Sequence, residues 1–325
     1  MSHKQVEILI LPEKDVEQTG LSMKETIEIV EKVFRAHGQG DAIVPAKVTL
    51  DMTITGKYGS SGNAMPAYVG PWGIAGIKWI GVNWTNPKEH NLPSLFGTVI
   101  LTDPATFAPL AIIGASWITA MRTGAATAVA TKYLARKNSE VVCIIGAGYQ
   151  GKHQLLGLNE VLKIREVRIS DINSENREKY MKEMSQKTGL KIIPMESVKE
   201  AVEGADIIVT ATTIDEALVK YEWIKQGCLI VAIGSYQELD YKVTKSMNKI
   251  VVDHLKQTMH RGELSKWVAK GLISEMDVYA ELGDIVARKK PGRETNTENI
   301  LCVPIGMGSE DVATAYRVYK LAQEK

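Results

Sequence analysis

A glycine-rich turn in the middle of the chain has the spacing of a dinucleotide-binding site. Gly146, Gly148 and Gly151 form the pattern G-x-G-x-x-G directly after the apolar run Val141–Ile145. In this pattern the glycines permit a tight turn, close approach of the backbone to a pyrophosphate, and close contact between strand and helix, while helix N–H groups face the phosphates. Three such glycines also occur at ordinary strand-to-helix turns, so the surrounding sequence must distinguish a dinucleotide-binding turn from an ordinary one.

An aspartate supplies that context. Asp171 follows a second strand-like run, at the distance from the glycines where an acid that binds the ribose is expected. A carboxylate repels a 2′-phosphate, so the sequence predicts NAD, with NADP as the weaker alternative. Arg165, Arg168 and Arg177 lie nearby and would soften that preference. The predicted cofactor-binding residues are Gly146, Ala147, Gly148, Tyr149, Gln150, Gly151, Asp171 and Ile172, together with Thr123, Ala211, Thr212, Gly234 and Ser235.

Three basic residues in the N-terminal part could hold a substrate. Lys78 lies in the apolar stretch Gly76-Ile77-Lys78-Trp79, Arg122 heads a helical run of small residues, and Lys47 follows Val44-Pro45-Ala46. Hydride transfer to a small acid needs cations for the carboxylate and a proton donor near the reacting carbon. The alternative for each is an ordinary surface cation. Lys78 fits that alternative least, because a lysine on a buried strand needs a partner or a function.

The segment after the apolar run Leu229–Ile233 is a further candidate. Ligands of open α/β sheets bind beyond the carboxyl ends of the strands. Ser235 and Tyr236 are therefore predicted to face the nicotinamide or the substrate, with a simple turn as the alternative. His90, His260 and Glu263 are weaker candidates, and because no His/Cys cluster has metal-ligand spacing, no metal site is predicted.

Composition narrows the class of protein. The chain has 325 residues, a net charge of +1 and 45% hydrophobic residues, so it can form a sizeable core, and no basic field for nucleic acid is expected. Residues 1–5 lack the apolar core of a signal peptide, and no run is long enough to span a membrane. Cys143, Cys228 and Cys302 fit buried free thiols. A cytoplasmic location is the expectation.

Periodicity outlines the elements that would position these residues. A capping box at Ser22–Glu25 opens an amphipathic helix that Gly38 is expected to close. Turn signals set limits on the other elements. The expected strands of the N-terminal part are 6–11, 46–52, 65–69, 74–82 and 98–102, and the later ones are 141–145, 167–170, 191–194, 206–211, 229–233 and 250–252; long helices are expected at 115–135 and 308–325.

These patterns predict an α/β protein of two domains. After the glycine turn, strands alternate with helices, which predicts a doubly wound sheet of about six parallel strands, a Rossmann fold. The short strands before residue 110 predict an α+β domain, and the last helix is expected to return to it. The predicted domains are 1–122 plus 304–325 for substrate binding and dimerisation, with the NAD-binding Rossmann domain 123–303 inserted.

The chain resembles the ornithine cyclodeaminase/mu-crystallin family, which includes archaeal-type alanine dehydrogenases and ketimine reductases. The resemblance runs nearly end to end. It rests on Val44–Lys47, Ala64–Tyr68, Gly76–Trp79, Arg122–Ala126 with Ala130–Ala135, Gly146–Gly151, Glu238–Asp240 and Gly306–Ala315. Arg-Thr-Gly-Ala-Ala shortly before Lys-Tyr-Leu-Ala and a glycine-rich loop is a specific combination.

The resemblance implies a homodimer built through the N-terminal domain and a small amino or imino acid as substrate. It implies that Lys78 and Arg122 are catalytic and bind the substrate carboxylate or assist proton transfer. Lys47 would be a further substrate-side cation, with Met65 and Ser235 also lining the substrate. The expected activity is NAD-dependent hydride transfer at a Cα–N bond.

Three departures from the family pattern bear on the reaction. Asn63 stands where alanine-dehydrogenase-like members carry an arginine, and Val303–Gly306 replaces an Asp-Ser-Thr/Val-Gly-like stretch. The segment Gly234–Gln237 lacks the aspartate with which cyclodeaminases can orient a distal amine. An alanine-dehydrogenase-like or ketimine-reductase-like activity is therefore preferred. An ornithine cyclodeaminase, which makes proline and ammonia, and a non-catalytic nucleotide-retaining binder of crystallin type stay open as alternatives.

Overall fold

The computed structural model describes residues 5–325, so the expectation about the first residues lies mostly outside the described part. Two compact units are present. One comprises the residues up to Arg122 together with Met307–Lys325, and the other comprises Thr123–Gly306. The boundary at which the chain returns to the first unit lies between residues 306 and 307, just after the expected boundary between residues 303 and 304. Which functions the two units carry stays a prediction.

The elements of the first part of the chain are mostly strands. The strands are β1 (Leu9–Leu11), β2 (Ala42–Ile43), β3 (Val48–Asp51), β4 (Ser60–Val69), β5 (Ile74–Asn83), β6 (Leu95–Thr102) and β7 (Pro109–Gly114); the helices are α1 (Glu13–Glu17), α2 (Met23–Gln39), α3 (Asn86–Glu89) and α4 (Ser116–Leu134). Helix α4 begins in the first unit and continues into the second.

The second part alternates strands and helices. Its strands are β8 (Val141–Ile145), β9 (Glu166–Ser170), β10 (Ile192–Pro194), β11 (Ile207–Thr210), β12 (Leu229–Ala232), β13 (Lys249–Val252), β14 (Ala280–Glu281) and β15 (Ile300–Val303); its helices are α5 (Tyr149–Val161), α6 (Ser174–Thr188), α7 (Val198–Val202), α8 (Tyr241–Lys245), α9 (Leu255–Thr258), α10 (Ser265–Ala269) and α11 (Leu282–Val286). The last helix, α12 (Gly308–Gln323), belongs to the first unit.

The sheet of the first unit is mixed, in the order β1-β7-β6-β5-β4-β2, with β3 paired to β4. Strands β4 to β7 form antiparallel neighbours, and β1 lies parallel to β7. Met65, Lys78, Val99 and Ile113 stand in one row across four strands, and all four are buried. Helix α12 covers this sheet and contacts β4 to β7, as the return of the last helix predicted.

Two expectations for this unit need correction. Helix α2 does not end at Gly38, which is buried inside it. It ends at Gln39, and the next residue, Gly40, has a φ of 80° and forms the left-handed cap that glycine favours. The first strand is also shorter than 6–11, because only Leu9–Leu11 pairs with β7, while Val6 and Ile8 are exposed.

The second unit is a doubly wound parallel sheet in the order β10-β9-β8-β11-β12-β15-β13-β14. The Rossmann prediction is confirmed. The expected number of about six strands was too low, since eight pair within the described residues. Sequence analysis missed two of these strands: β14, which has two residues and lies at the edge of the sheet, and β15, which inserts between β12 and β13. Strand β15 is an apolar run of four residues, too short to show a period. No helix in residues 5–325 is long and apolar enough to cross a membrane.

Helices α4 and α5 of the second unit meet through glycine. A Cβ on Gly157 would lie 2.3 Å from the carbonyl oxygen of Gly124, a backbone atom that cannot turn aside. Close approach of the two helices at this point therefore requires a glycine at position 157.

We expect Gly157→Ala to destabilise the protein by about 1–3 kcal/mol, because separating the two helices outweighs the ~1 kcal/mol gain in helix propensity. Urea unfolding monitored by circular dichroism measures the change. Gly59→Ala is the matched control: its nearest neighbour would be 3.8 Å away, so stability should stay equal or rise slightly. Equal stabilities of the Gly157 variant and the parent would contradict the close-contact explanation.

Candidate functional site

A buried cluster of charges lies in the first unit. Lys78 Nζ is 2.7 Å from Asp311 Oδ2, and Arg122 Nε is 3.0 Å from Asp311 Oδ1. Arg122 Nη1 reaches Glu310 Oε2 at 3.0 Å, and Lys78 Nζ also donates to Thr119 Oγ1 at 3.4 Å. Lys78 is 1% exposed and Arg122 7%, while both acids are fully buried. Two cations expected to bind substrate are thus held together by two acids.

Three elements converge to build the cluster. Lys78 stands in the middle of β5, Arg122 lies on α4, and both acids occupy the first turn of α12. The N-terminal end of a helix favours negative charge, which suits carboxylates at this position. Gly308 lets α12 start against β4, because a Cβ there would lie 2.5 Å from the Met65 carbonyl oxygen. Close contact of α12 with the sheet therefore aims the acids at Lys78.

The two cations respond to this environment in opposite directions. Burial lowers the pKa of Lys78 most strongly, the attraction of Asp311 raises it, and repulsion by Arg122 and Lys47 lowers it again, giving a value of about 7. For Arg122, burial also lowers the pKa, but the attraction of Asp311 and Glu310 outweighs it, so the pKa is raised. Arg122 is thus a permanent cation, whereas Lys78 can gain or lose a proton near neutral pH.

The remaining substrate-side candidates of this unit lie around the cluster. Met65 is paired with Lys78 across β4 and β5 and is 4% exposed. Lys47 is partly buried just before β3, and its charge acts on Lys78. With Lys78 protonated, these groups carry one net positive charge. Such an arrangement can hold an anion and move a proton.

Sequence reasoning did not place Glu310 and Asp311 in the site. In the sequence analysis the two acids appeared only within the segment Gly306–Ala315, which carries the family resemblance. The available signal was two adjacent carboxylates at the start of a helix whose next positions, Val312, Ala313 and Ala315, are apolar and buried. Buried acids need cationic partners, and a buried lysine needs an acid. The acid pair in an apolar helix and Lys78 in an apolar strand therefore indicate an ion pair between the two segments.

The glycine turn of the second unit has the geometry of a phosphate cradle. Gly146 has a φ of 111°, and a Cβ on it would lie 2.6 Å from the Ala211 carbonyl oxygen. A Cβ on Gly151 would lie 2.1 Å from the Gly146 carbonyl oxygen, so strand and helix touch. Nothing lies within 4 Å of a Cβ on Gly148, the N-cap residue of α5. The backbone therefore presents an open helix N-terminus, which suits a pyrophosphate.

Asp171 closes this turn at the end of β9. Its Oδ2 accepts a hydrogen bond of 2.8 Å from the Ala147 N–H, and its Oδ1 accepts one of 2.9 Å from the Asn173 N–H. Ile172 beside it is 97% exposed. Tyr149 and Gln150 form the first turn of α5, and Tyr149 is 55% exposed. The carboxylate thus stands beside the glycine turn, as a ribose-binding acid would.

The three neighbouring arginines all make contacts within the protein. Arg177 donates from Nη1 to the Asp171 carbonyl oxygen at 2.6 Å, and its Nη2 is 3.6 Å from Glu196. Arg168 pairs with Glu166 at 2.7 Å, and Arg165 lies 3.4 Å from Glu140. Arg165 and Arg168 thus pair with acids of their own, while Arg177 lies beside Asp171. The Asp171 carboxylate, which would repel a 2′-phosphate, is what supports NAD over NADP.

The other predicted cofactor residues lie on separate segments. Thr123 is buried on α4, and Ala211 adjoins Gly146. Thr212 and Gly234 follow β11 and β12, where the structure links both to Glu238. Ser235 follows Gly234 and is exposed. Of the weaker candidates, Glu263 is buried and bonded to backbone N–H groups, and His90 is exposed. No group of metal-ligating side chains occurs in residues 5–325.

The sequence matches a known protein family over nearly its whole length. The model of the ornithine cyclodeaminase/mu-crystallin family matches residues 6–325. The chain belongs to this family. The resemblance seen in the sequence is therefore confirmed over almost the whole chain.

Individual family members are similar throughout their length. The alanine dehydrogenase of Archaeoglobus fulgidus is 39% identical over 98% of this chain and 97% of its own. A solved structure of Thermococcus litoralis Δ1-pyrroline-2-carboxylate reductase with NADH and L-proline has a TM-score of 0.92 and 40% identity, covering 98% of both chains. An archaeal alanine dehydrogenase dimer with bound NAD has a TM-score of 0.92 and 38% identity, covering 98% of this chain and 96% of its own.

For this family member we expect the Lys78 ammonium to titrate with a midpoint of about 7. Asp311→Asn removes the attraction that raises this pKa, so the midpoint should fall. Nuclear magnetic resonance of lysine side chains labelled with 13C, recorded against pH, measures both values.

The control for this titration is Asp103→Asn, which changes a partly buried carboxylate that accepts hydrogen bonds from the turn after β6. It should leave the Lys78 midpoint in place. A midpoint near 10 in the parent protein, or an unchanged midpoint in Asp311→Asn, would contradict the assigned electrostatics.

Proposed function

We propose that this protein reduces the C=N bond of a small α-imino acid with NADH and catalyses the reverse oxidation of the amino acid. The observation that carries the proposal is the pairing of Lys78, a buried lysine with a pKa of about 7, with the permanent cation Arg122. Such a pair combines proton transfer with carboxylate binding, the two tasks that imine reduction requires.

The oxidoreductase class and the use of NAD rest on the family. Similar family members are a dehydrogenase and a reductase, and both solved relatives hold NAD or NADH. The glycine turn and Asp171 supply the matching residues in this chain. Gly146–Gly151 would hold the pyrophosphate and Asp171 the ribose diol.

The residues of the first unit divide the work of the reaction. The acids use Nε and Nη1 of Arg122, so Nη2 can bind the substrate carboxylate together with Lys47. NADH, when held by the glycine turn and Asp171, would supply the hydride for Cα. Protonated Lys78 donates its proton to the imine nitrogen, and Asp311 holds the ammonium in place. The products are the amino acid, NAD⁺ and a neutral lysine that takes a new proton from water.

The direction of catalysis should depend on the protonation of Lys78. Because its pKa is about 7, the ammonium that donates in reduction predominates below neutral pH. The free amine, which accepts the proton in oxidation, predominates above it. Burial is the largest cause of the lowered pKa of Lys78, so this pKa depends on the exclusion of water from β5.

Asn63 favours a cyclic imine such as pyrroline-2-carboxylate as substrate. It stands on the same face of β4 as Met65, at the position where alanine-dehydrogenase-like members carry an arginine, and its Oδ1 accepts from the Thr49 hydroxyl at 2.8 Å. This chain therefore has one cation fewer on the substrate side. Alanine dehydrogenation is the second candidate, favoured by the 39% identity to such an enzyme. The missing aspartate in Gly234–Gln237 argues against a cyclodeaminase.

We expect NADH oxidation to be faster with pyrroline-2-carboxylate than with pyruvate plus ammonium. The test follows NADH absorbance and free ammonia for both substrates and for ornithine with NAD⁺. Lys78→Met should lower kcat/KM for reduction by roughly 10²–10⁴-fold. Lys32→Met, which changes an exposed lysine over Trp72, is the matched control and should keep full activity.

Each alternative has its own outcome in that assay. Faster turnover of pyruvate with ammonium would make the protein an alanine dehydrogenase. Ammonia release from ornithine without a net NADH change would make it a cyclodeaminase. Tight NADH binding with no turnover of any substrate would support the crystallin-type binder, and full activity of Lys78→Met would remove the role given to Lys78.

A homodimer is the proposed assembly. The face of the first sheet opposite α12 is apolar and exposed, since Ile10, Val48, Trp79 and Phe96 are each 46–67% exposed. Large exposed apolar patches mark interaction surfaces. A second copy of the chain is the proposed partner because the archaeal alanine dehydrogenase of similar structure is a dimer.

A cytoplasmic location is likewise proposed, supported by three buried free cysteines, which suit a reducing compartment.

We expect Trp79→Glu to convert the dimer to a monomer, because a charge at the centre of an apolar interface is costly. Sedimentation velocity measures the mass. Met276→Glu changes a side chain that is 95% exposed in the second unit and should leave the dimer intact. A monomeric parent, or a dimeric Trp79→Glu variant, would show that this face is not the interface.

A further inference from the structure

Two carboxyl groups are buried at the carboxyl edge of the second sheet. Glu238 follows β12 and Glu263 follows α9, and the exposed fraction of both residues is 0%. Neither belongs to the substrate site of the first unit. Buried acids without cationic partners are rare, because an isolated buried charge is costly.

The Glu238 side chain joins two segments that are predicted to hold the cofactor. Its Oε1 accepts from the Thr212 N–H at 2.9 Å and from the Thr212 hydroxyl at 2.6 Å. A Cβ on Gly234 would lie 2.4 Å from Oε2 of the same carboxyl, so the Gly234 backbone rests on it. One carboxyl group thus fixes the chain after β11 and the chain after β12.

Glu263 holds Glu238 in turn. Its Oε2 accepts from the Glu238 N–H at 2.7 Å, and its Oε1 accepts from the Leu239 N–H at 3.2 Å. The preceding Gly262 rests on the chain after β15, since a Cβ on it would lie 2.8 Å from a methyl group of Ile305. Together the two acids connect the strand ends of β11, β12 and β15, the edge where dinucleotides bind in such sheets.

The surroundings of the pair are almost free of positive charge. The groups facing the carboxyls are the hydroxyls of Thr210 and Thr212 and the carboxylate of Asp215, which itself pairs with Lys266 at 2.5 Å. Within residues 5–325 neither Glu238 nor Glu263 forms an ion pair, and Glu238 Oε2 has no hydrogen bond of good geometry. Arg261, on the segment of Glu263, is half-buried.

Two carboxylates so placed do not both ionise readily. Burial raises the pKa of Glu238 despite its hydrogen bonds to Thr212. Burial raises the pKa of Glu263 further, and the neighbouring Glu238 adds to the effect. A carboxyl that retains a proton needs no cationic partner, which fits the burial of both acids without an ion pair.

We propose that Glu238, backed by Glu263, positions the two segments that hold the nicotinamide and that this pair releases a proton when the ring becomes cationic. The proposal rests on the proposed use of NAD. The nicotinamide ring of NAD⁺ carries a positive charge and that of NADH does not. A nearby carboxyl is therefore more acidic with NAD⁺ bound than with NADH bound.

Calorimetric titration of the protein with NAD⁺ or NADH, in two buffers of different ionisation enthalpy, tests this directly. At neutral pH, NAD⁺ binding should release a fraction of a proton and NADH binding should release less. Glu238→Gln copies the protonated acid, so it should still bind NADH but abolish the difference and weaken NAD⁺ relative to NADH by about tenfold. Glu238→Ala should weaken both, because it frees Thr212.

Two control variants test whether the proton comes from the Glu238–Glu263 pair. Glu222→Gln, at an exposed carboxylate paired with Lys242, should leave proton release unchanged. Lys78→Met removes any proton that the lysine itself releases, so the difference that remains in this variant and is lost in Glu238→Gln comes from the pair. Equal proton release with NAD⁺ and NADH in the parent, or an undiminished difference in Glu238→Gln, would overturn the proposal. Failure to bind either nucleotide would instead refute NAD as the cofactor.

Discussion

The ion pair between Lys78 and Asp311 is the contact on which the first unit depends. Its partners come from β5 and from the first turn of α12, far apart in sequence. A buried lysine without a counter-ion is strongly destabilising, so the last helix has to return to the N-terminal sheet. This requirement explains why the unit is discontinuous. Buried ion pairs seldom exceed well-packed apolar residues in stability, so the retention of this one argues for chemistry.

The same cluster gives two similar cations different properties. Arg122 meets two acids and stays charged, whereas Lys78 shares one of them and is repelled by Arg122 and Lys47. A permanent cation suits the binding of a carboxylate, which stays ionised throughout the reaction. A lysine near its titration point suits the nitrogen, whose protonation changes. Exchanging the two side chains would therefore preserve the total charge, but the permanent cation and the titratable amine would no longer lie at the positions suited to carboxylate binding and proton transfer.

Features set by local sequence could be predicted, and features set by tertiary contact could not. The tight turn at Gly146 and Gly151 could be predicted because turn geometry restricts residue type over a short span, whereas the binding roles of these residues and of Asp171 stay predictions. Lys78 was found because a charge contradicts its apolar neighbours. The partners Glu310 and Asp311 were missed because nothing local links them to β5. Strand β15 was missed because its pairing with β12 and β13 depends on the sheet. Helix α2 continues past Gly38, which is buried within it, and is capped by Gly40.

Under the two proposals, titratable groups lie where the two halves of the reaction change charge. In the proposed reduction the imine nitrogen gains a proton, which Lys78 would donate. In the same step the nicotinamide gains a positive charge, and a carboxyl of the Glu238–Glu263 pair can respond by losing a proton. Each response lowers the energy of the product side within a buried environment, where uncompensated charge is costly. Burial, which raises the pKa of the acids and lowers that of the lysine, thus prepares both groups for one chemical step.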